Sequence, residues 1–184
     1  MQKFLIPAAR MLTFMTLLLG LGYPVVVFLG SQLLFKENAE GALLRREGKV
    51  IGSHWIAQKF TQPQYFWPRP SAIDYNPLPS GGSNLSPDSQ TLKTQVAERE
   101  TQLAAGQAVP EDLLFASASG LDPEISPQAA QFQVARVAQA RGIDPQKLKT
   151  LVKRFTLGRQ WGFLGEPRVN VLELNLALDT NGAP

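Results

Sequence analysis

The chain contains no cysteine. A disulfide scaffold, a thiolate metal site and a cysteine nucleophile are therefore excluded. The absence leaves the compartment open and is compatible with an oxidising one. Histidine is almost as scarce, because His54 is the only one and a histidine metal site would have no second nitrogen ligand. Most of the length also lacks an excess of either charge. Beyond residue 49 twelve basic residues balance twelve acidic ones. The net +3 of the 184-residue chain lies in residues 1–49, where Lys3, Arg10, Lys36, Arg45, Arg46 and Lys49 outnumber Glu37, Glu40 and Glu47. Positive charge bracketing an apolar segment is a membrane-surface pattern and not a nucleic-acid footprint, so a lipid bilayer is the expected partner and nucleic acid is not.

That apolar segment is the plainest positive feature. No charged side chain occurs from Met11 to Phe35. Residues 11–35 are long enough as a helix to cross roughly 30 Å of hydrocarbon with some tilt, with Arg10 and Lys36 able to snorkel to the two interfaces. The run exceeds the apolar region of a signal peptide, about 7–15 residues, and Gln32-Leu33-Leu34-Phe35 offers no small-x-small cleavage site, so an uncleaved span is expected. Gly20, Gly22, Tyr23 and Pro24 interrupt its middle. Pro24 removes a backbone donor, so a kink is expected there. The small residues either accompany a tolerated kink in a lone anchor or form a notch for a partner helix. Four cations after the segment against two before it favour a cytoplasmic C-terminal domain by the positive-inside rule.

Residues 36–49 read as a charged connector, and residues 50–184 as one mixed domain. Lys49 to Ile56 reads as a strand. After Phe60 comes a long stretch without helical period, rich in proline, which is too long for an ordinary connection. Its aromatics Tyr65, Phe66, Trp67 and Tyr75 argue against disorder. Ser86-Pro87, Ser126-Pro127 and Asp144-Pro145 each supply an N-cap and a proline at the first helical position. They predict helices from Pro87 to about Ala104, from Pro127 to Gly142, and from Pro145 to a stop before Gly158. Residues 169–178 are ambiguous. Leu172, Leu174, Leu176 and Leu178 alternate as in a strand, whereas Asn170 with Glu173 three residues on suits a capped helix. The fold class is α+β with one N-terminal transmembrane helix.

Few residues suggest chemistry. His54 could join Ser71 or Ser83 and Asp74 in a hydrolase triad, but nothing like a nucleophile elbow surrounds either serine. Ser80-Gly81-Gly82-Ser83-Asn84 could cradle a phosphate on its backbone N–H groups. It lacks the lysine of a P-loop, and a tight turn whose glycines take positive φ is the plainer reading. Arg69, set between Pro68 and Pro70, is aimed by rigid flanks at a carboxylate or a partner backbone, or forms an ordinary ion pair. Glu98, Glu100, Glu111, Asp112, Asp122 and Glu124 form an acidic cluster with Arg99 the one base among them, while residues 147–159 carry five bases and no acid. Both clusters read as solvated faces; an acidic face at a channel mouth would concentrate cations.

Several blocks in order resemble one family. They are Gly22-Tyr23-Pro24, Gly52-Ser53-His54-Trp55, Tyr65-Phe66 with Arg69-Pro70-Ser71-Ala72, Tyr75-Asn76, Ser80 to Leu85, Ser119 to Pro123, Ile125-Ser126-Pro127, Gly162 to Leu172 and Asn175 to Asp179. Together they resemble the C subunit of the Kdp-type potassium-transporting ATPase over nearly the whole chain, with departures at Trp67-Pro68, Phe155 and Leu157. The resemblance implies a non-catalytic accessory subunit of a high-affinity potassium uptake complex in the bacterial inner membrane. Its implied partners are a channel-like potassium-selecting subunit, a P-type ATPase subunit and a very small fourth subunit. It further implies a catalytic chaperone that raises the affinity of the ATPase subunit for ATP, with potassium as the transported ion. The implied topology is a cytoplasmic residues 1–10 and an extracytoplasmic domain. That opposes the charge count, and it is adopted because long domains translocate largely regardless of nearby charge. An external domain cannot touch cytoplasmic ATP, so any effect on ATP affinity would be indirect. Arg69, Ser71, Tyr75, Asn76 and Ser80–Asn84 are then expected to meet a partner subunit. A membrane-anchored periplasmic hydrolase and an anchored binding module are the alternatives.

Overall fold

The computed structural model describes residues 2–103 and 106–181. The chain forms two compact units, Met1–Leu43 and Leu44–Pro184.

In the first unit α1 (Gln2–Leu17), a π-helical turn (Leu18–Gly22) and α2 (Tyr23–Leu34) follow one another without interruption. Lys3–Leu34 is 32 residues long and apolar enough to cross a membrane. The disturbance expected at Pro24 takes the form of the π-helical turn just before it. Tyr23 donates its N–H to the carbonyl of Leu18, five residues back. Widening the turn relieves the clash a proline ring makes with the carbonyl four residues earlier. Gly20 and Gly22 leave the wall of this turn thin, since a Cβ on Gly20 would meet nothing closer than the Thr16 Cγ2 at 3.9 Å. Phe35 leaves the helical region with φ −139°, and α3 (Lys36–Ala39) adds one turn.

Strand β1 (Leu43–Arg46), whose first residue is the last of the first unit, pairs with β2 (Lys49–Ser53). The intervening Glu47 and Gly48 have φ of 52° and 77°, as a two-residue hairpin turn of the favoured hand requires. Residues 36–49 thus hold a helical turn and a strand. The strand read as Lys49 to Ile56 stops at Ser53, where Ile56 N–H turns back onto the Ser53 carbonyl at 3.4 Å.

Residues 54–89 contain no helix or long strand. Then come α4 (Gln90–Leu103), α5 (Glu111–Leu114), β3 (Glu124–Ile125), α6 (Pro127–Arg141), α7 (Pro145–Arg154), β4 (Thr156–Leu157), β5 (Arg168–Asn170) and α8 (Val171–Asn181). The helix expected at Pro87 starts later. Ser86 accepts from Ser89 N–H in a preceding turn, and Ser89, not Ser86, takes the first helical bond, from Lys93. Its expected end at Ala104, and the termini of the expected segments at residues 1 and 182–184, lie outside the described residues.

The other helix starts follow the sequence signals. Ser126 Oγ accepts from Ala129 N–H at 3.0 Å, and Gly142 closes α6 at φ 66°, a left-handed position that costs glycine little. Asp144 Oδ1 accepts from Gln146 N–H at 2.9 Å. Helix α7 stops at Arg154, because Thr156 and Leu157 are drawn into an antiparallel sheet of order β3-β5-β4, with Thr156 opposite Val169 and Glu124 opposite Asn170. The leucine-rich end is helical. Asn170 Oδ1 accepts from Glu173 N–H at 3.1 Å, the N-cap half of the anticipated box. The strand-like alternation misled because α8 is buried on several sides: Val171, Leu172, Leu174, Asn175, Ala177 and Leu178 are all inside.

The core lies between α6, α7, α8 and the three-stranded sheet, and is built from Val134, Val137, Val152, Val169, Leu174 and Leu178. Phe66 enters it from the irregular segment with no exposed surface. Burying Phe66 drags its own backbone inside, and that backbone has no strand to pair with. Two buried side-chain amides complete it. Asn175 Oδ1 accepts from Phe66 N–H at 2.8 Å while its Nδ2 donates to Phe66 O at 2.9 Å. Gln133 Oε1 accepts from Trp67 N–H at 2.8 Å and its Nε2 donates to Trp67 O at 3.1 Å. Each amide imitates a neighbouring strand. Arg136 extends the grip to the carbonyls of Pro63 at 2.7 Å and Tyr65 at 3.0 Å. Its guanidinium lies 3.8 Å from the Trp67 ring centroid, a cation–π contact. Arg141 Nε donates to Gln64 O at 2.7 Å.

Asn175→Leu strands a buried N–H and a buried C=O on Phe66, which the groups lost from water do not recover. We expect a loss of about 2–5 kcal/mol, read as a lowered urea midpoint of the full chain in detergent. Asn175→Asp, which keeps an acceptor for Phe66 N–H but sets a buried carboxylate oxygen against Phe66 O, should lose at least as much at neutral pH.

Candidate functional site

The residues expected to meet a partner through a loop lie in one irregular region, residues 69–84, closed against residues 117–122. Ser71 Oγ accepts from Ile73 N–H at 3.2 Å and Tyr75 N–H at 2.9 Å. This holds Asp74 and Tyr75 at φ 53° and 60°, left-handed positions that non-glycine residues seldom take. Tyr75 then returns its hydroxyl to Arg69 O at 2.8 Å. Burial, aided by the neighbouring Asp74 carboxylate, pushes the Tyr75 phenol up to about 12. Arg99 from α4 lies close enough to oppose that rise. Arg99 itself donates to Leu114 O at 2.6 Å, and burial lowers its pKa.

Asn76 Oδ1 accepts from Leu78 N–H at 3.0 Å, and Ser80 Oγ donates to Ser119 O at 2.9 Å. The glycine pair behaves differently from expectation, since neither Gly81 nor Gly82 has positive φ. Gly81 N–H is spent on Ser119 O at 3.0 Å, so it points inward and away from any anion. Gly82 is required by close approach: an added Cβ would lie 2.8 Å from Ala118 O. The left-handed position falls on Asn84, at φ 51°. Ser83 and Asn84 are the exposed end of this loop.

Arg69 is half-buried and donates Nη1 to Asp122 Oδ2 at 3.1 Å. Its Nε is buried without a hydrogen bond. The pair lies on one wall of a cleft of about 1200 Å³ that also takes in Trp55, Phe115, Glu124 and Arg168. A second pair, Arg168 Nε to Glu124 Oε1 at 2.8 Å, parallels the first. These pairings correct the reading of the acidic cluster as a solvated face. Asp122 and Glu124 are held by arginines, and Asp112 Oδ2 accepts from Ser126 N–H at 2.7 Å. Only Glu98, Glu100 and Glu111 of the six are exposed.

The triad geometry is not assembled. His54 Nδ1 is 2.7 Å from Glu173 Oε1 and stands edge-on to Trp55. Asp74 pairs with Lys59 at 2.6 Å, and Ser71 Oγ is occupied by backbone donors. Among the described residues no group of three metal-ligating side chains exists. In the first unit, Gly20, Gly22, Tyr23 and Pro24 cluster at the π-helical turn, all exposed. Sequence reasoning missed the clamping roles of Gln133, one of four glutamines along α6, and of Asn175, which entered only as part of a motif block, and missed the partners of Arg69 and Arg168.

A family model described as "KdpC: K+-transporting ATPase, c chain" matches residues 5–180. A potassium-transporting ATPase KdpC subunit from Methylococcus capsulatus (strain Bath) is 50% identical over 181 residues, covering 94% of this chain and 95% of its own length. Subunits of the same name from Burkholderia mallei (strain SAVP1) and Burkholderia pseudomallei (strain K96243) are each 55% identical over 168 residues, covering 87% of both chains.

The buried phenol sets a pH signature. One of the three tyrosines should ionise only near 12 in an alkaline absorbance titration, and that step should vanish in Tyr75→Phe. An unfolded tyrosine ionises near about 10, so the folded state holds this proton more tightly. The stability it contributes is complete below about pH 10 and lost as pH rises through the folded value.

Proposed function

Since the chain belongs to the KdpC family of K+-transporting ATPase c chains, we propose that it is the accessory subunit of an ATP-driven potassium uptake complex in a bacterial inner membrane. The observation that carries this reading is the family match across residues 5–180, which takes in both units. The partners are the potassium-selecting channel-like subunit, the P-type ATPase subunit and the small fourth subunit.

The first unit supports the anchoring role. Its 32-residue apolar helix measures about 48 Å at about 1.5 Å per residue, more than the roughly 30 Å of a hydrocarbon core. Gly20, Gly22, Tyr23 and Pro24 form its partner-helix contact, where a thin wall lets a second helix approach. Residues 1–10 lie in the cytoplasm and the second unit outside.

With that topology the second unit works by docking. Its loop 69–84 is fastened from within through Arg69, Ser71, Tyr75 and Ser80, while Asn76, Ser83 and Asn84 are exposed and meet the potassium-selecting subunit. The inward-spent Gly81 N–H argues against a nucleotide cradle. ATP is cytoplasmic, so the chaperone effect on the ATPase subunit is a coupling through the complex of about 1–3 kcal/mol, a factor of roughly 5–150 in affinity.

The test compares the full chain with the assembly. The tagged chain should bring down a large polytopic subunit and a P-type ATPase from detergent extracts. Alone, it should bind ATP no tighter than millimolar by calorimetry, and assemblies lacking it should show an ATP KM raised within that range. Recovery of the chain by itself, or micromolar ATP binding to it, contradicts the proposal.

A further inference from the structure

The strands β4 and β5 continue outward past their sheet as a hairpin with nothing beneath it. Gln160 and Leu164 exchange N–H···O bonds of 2.8 and 2.9 Å, and Trp161, Gly162 and Phe163 form the tip. Trp161 is 85% exposed and Phe163 67% exposed. A Cβ placed on Gly158, Gly162 or Gly165 would meet no atom within 4 Å, so the tip stands clear of the unit's body. Trp161 takes φ 52°, a left-handed conformation that is costly for a large side chain and persists only where surrounding bonds enforce it. A well-bonded turn thus holds two aromatic rings, 6.5 Å apart between centroids, out in solvent.

Beside the hairpin lies the basic run. Helix α7 buries Leu148 and Val152. At about 100° per residue, Lys147, Lys153 and Arg154 fall on the opposite arc and Lys149 on its flank, and all four are exposed. None has a carboxylate partner among the described residues. Arg159, at the hairpin's neck, is neutralised by Glu166 at 2.8 Å. A shallow groove of about 610 Å³ between α7 and the start of α6 is lined by Lys149, Lys153 and Thr156, by Gln131 of α6, and by Gly158 at the hairpin root.

We propose that this hairpin tip and the outer face of α7 together form a peripheral contact with an anionic lipid surface. Trp161 and Phe163 enter the interfacial layer, and the α7 cations meet phosphate headgroups. Two arguments favour lipid over a protein groove. Three of the four uncompensated cations are lysines, which are depleted in protein interfaces but well suited to a headgroup layer, where they extend an apolar stem and keep the ammonium wet. The chain also carries its own apolar spanning helix, and a tether gives even a weak surface contact a high effective concentration. The inference leans on the anchoring part of the proposed function, not on contact with partner subunits.

The test reconstitutes the full chain into phosphatidylcholine vesicles with or without phosphatidylglycerol, with brominated acyl chains as quenchers. The emission of Trp161 is obtained by difference from Trp161→Phe. With phosphatidylglycerol present it should be quenched by the bromines. Quenching should fall about twofold or more in pure phosphatidylcholine, in high salt, and in the surface variant Lys149→Gln/Lys153→Gln/Arg154→Gln. Retention after a carbonate wash checks the anchor separately. An inserted chain whose Trp161 stays open to aqueous acrylamide and untouched by the bromines overturns the lipid contact alone. Shielding of Trp161 only in the purified multisubunit assembly in neutral detergent also overturns it, in favour of a protein partner. A chain released by carbonate removes the tether and the proposal with it.

Discussion

A length of backbone that cannot pair with a strand has to be buried, because Phe66 belongs in the core. A peptide group taken from water without a partner costs several times what a net hydrogen bond contributes, so an aromatic from an irregular segment can enter a core only if something completes its backbone. Asn175 and Gln133 do so, one amide for Phe66 and one for Trp67. Because the two amides sit on α8 and α6, the segment also ties those helices together. The rest of the irregular region hangs from this point. Pro68 is buried next to Trp67, Arg69 reaches Asp122, Tyr75 folds back onto Arg69 O, and the glycine pair lies against Ala118 and Ser119.

This construction suits the docking role proposed for the second unit. The side chains that looked chemical in isolation are spent on the fold: His54 on Glu173, Ser71 on two backbone amides, Asp74 on Lys59. Their expense produces a loop of defined shape without regular secondary structure, presenting Asn76, Ser83 and Asn84 outward. Loops carry recognition where a scaffold positions them. Here the scaffold is a small helical core and a three-stranded sheet, and the rigidity comes from side chains that replace missing strands.

Local signals were legible in the sequence wherever one residue decides a local geometry. Ser126-Pro127, Gly142 and Asp144-Pro145 set helix ends through their own dihedrals and side-chain oxygens. The uncharged run from Met11 to Phe35 declared its helix, and ordered blocks of motif declared the family. What could not be read depended on a competing local turn or on distant residues. The start of α4 at Gln90 in place of Pro87 reflects a turn closed by Ser86 and Ser89. Gly82 looked like a turn glycine and is needed instead because Ala118 O comes within 2.8 Å of where its Cβ would be. The alternating leucines of α8 imitate a strand because that helix is surrounded. Asp122 and Glu124 read as surface acids until Arg69 and Arg168 are brought to them. The clamping roles of Gln133 and Asn175 carry no signal along the chain, since a helical amide declares nothing until the backbone it completes arrives from residues 66 and 67.

The dependence of the second unit on that clamp is most directly tested by amide hydrogen exchange at Phe66 and Trp67 in the full-length chain. If the two side-chain amides hold the segment as a strand would, both N–H groups exchange only with opening of the α6–α8 core, at rates matching those of its buried helical amides. Exchange of Phe66 and Trp67 at the rate of the exposed loop around Ser83, while the core amides stay protected, would contradict the account.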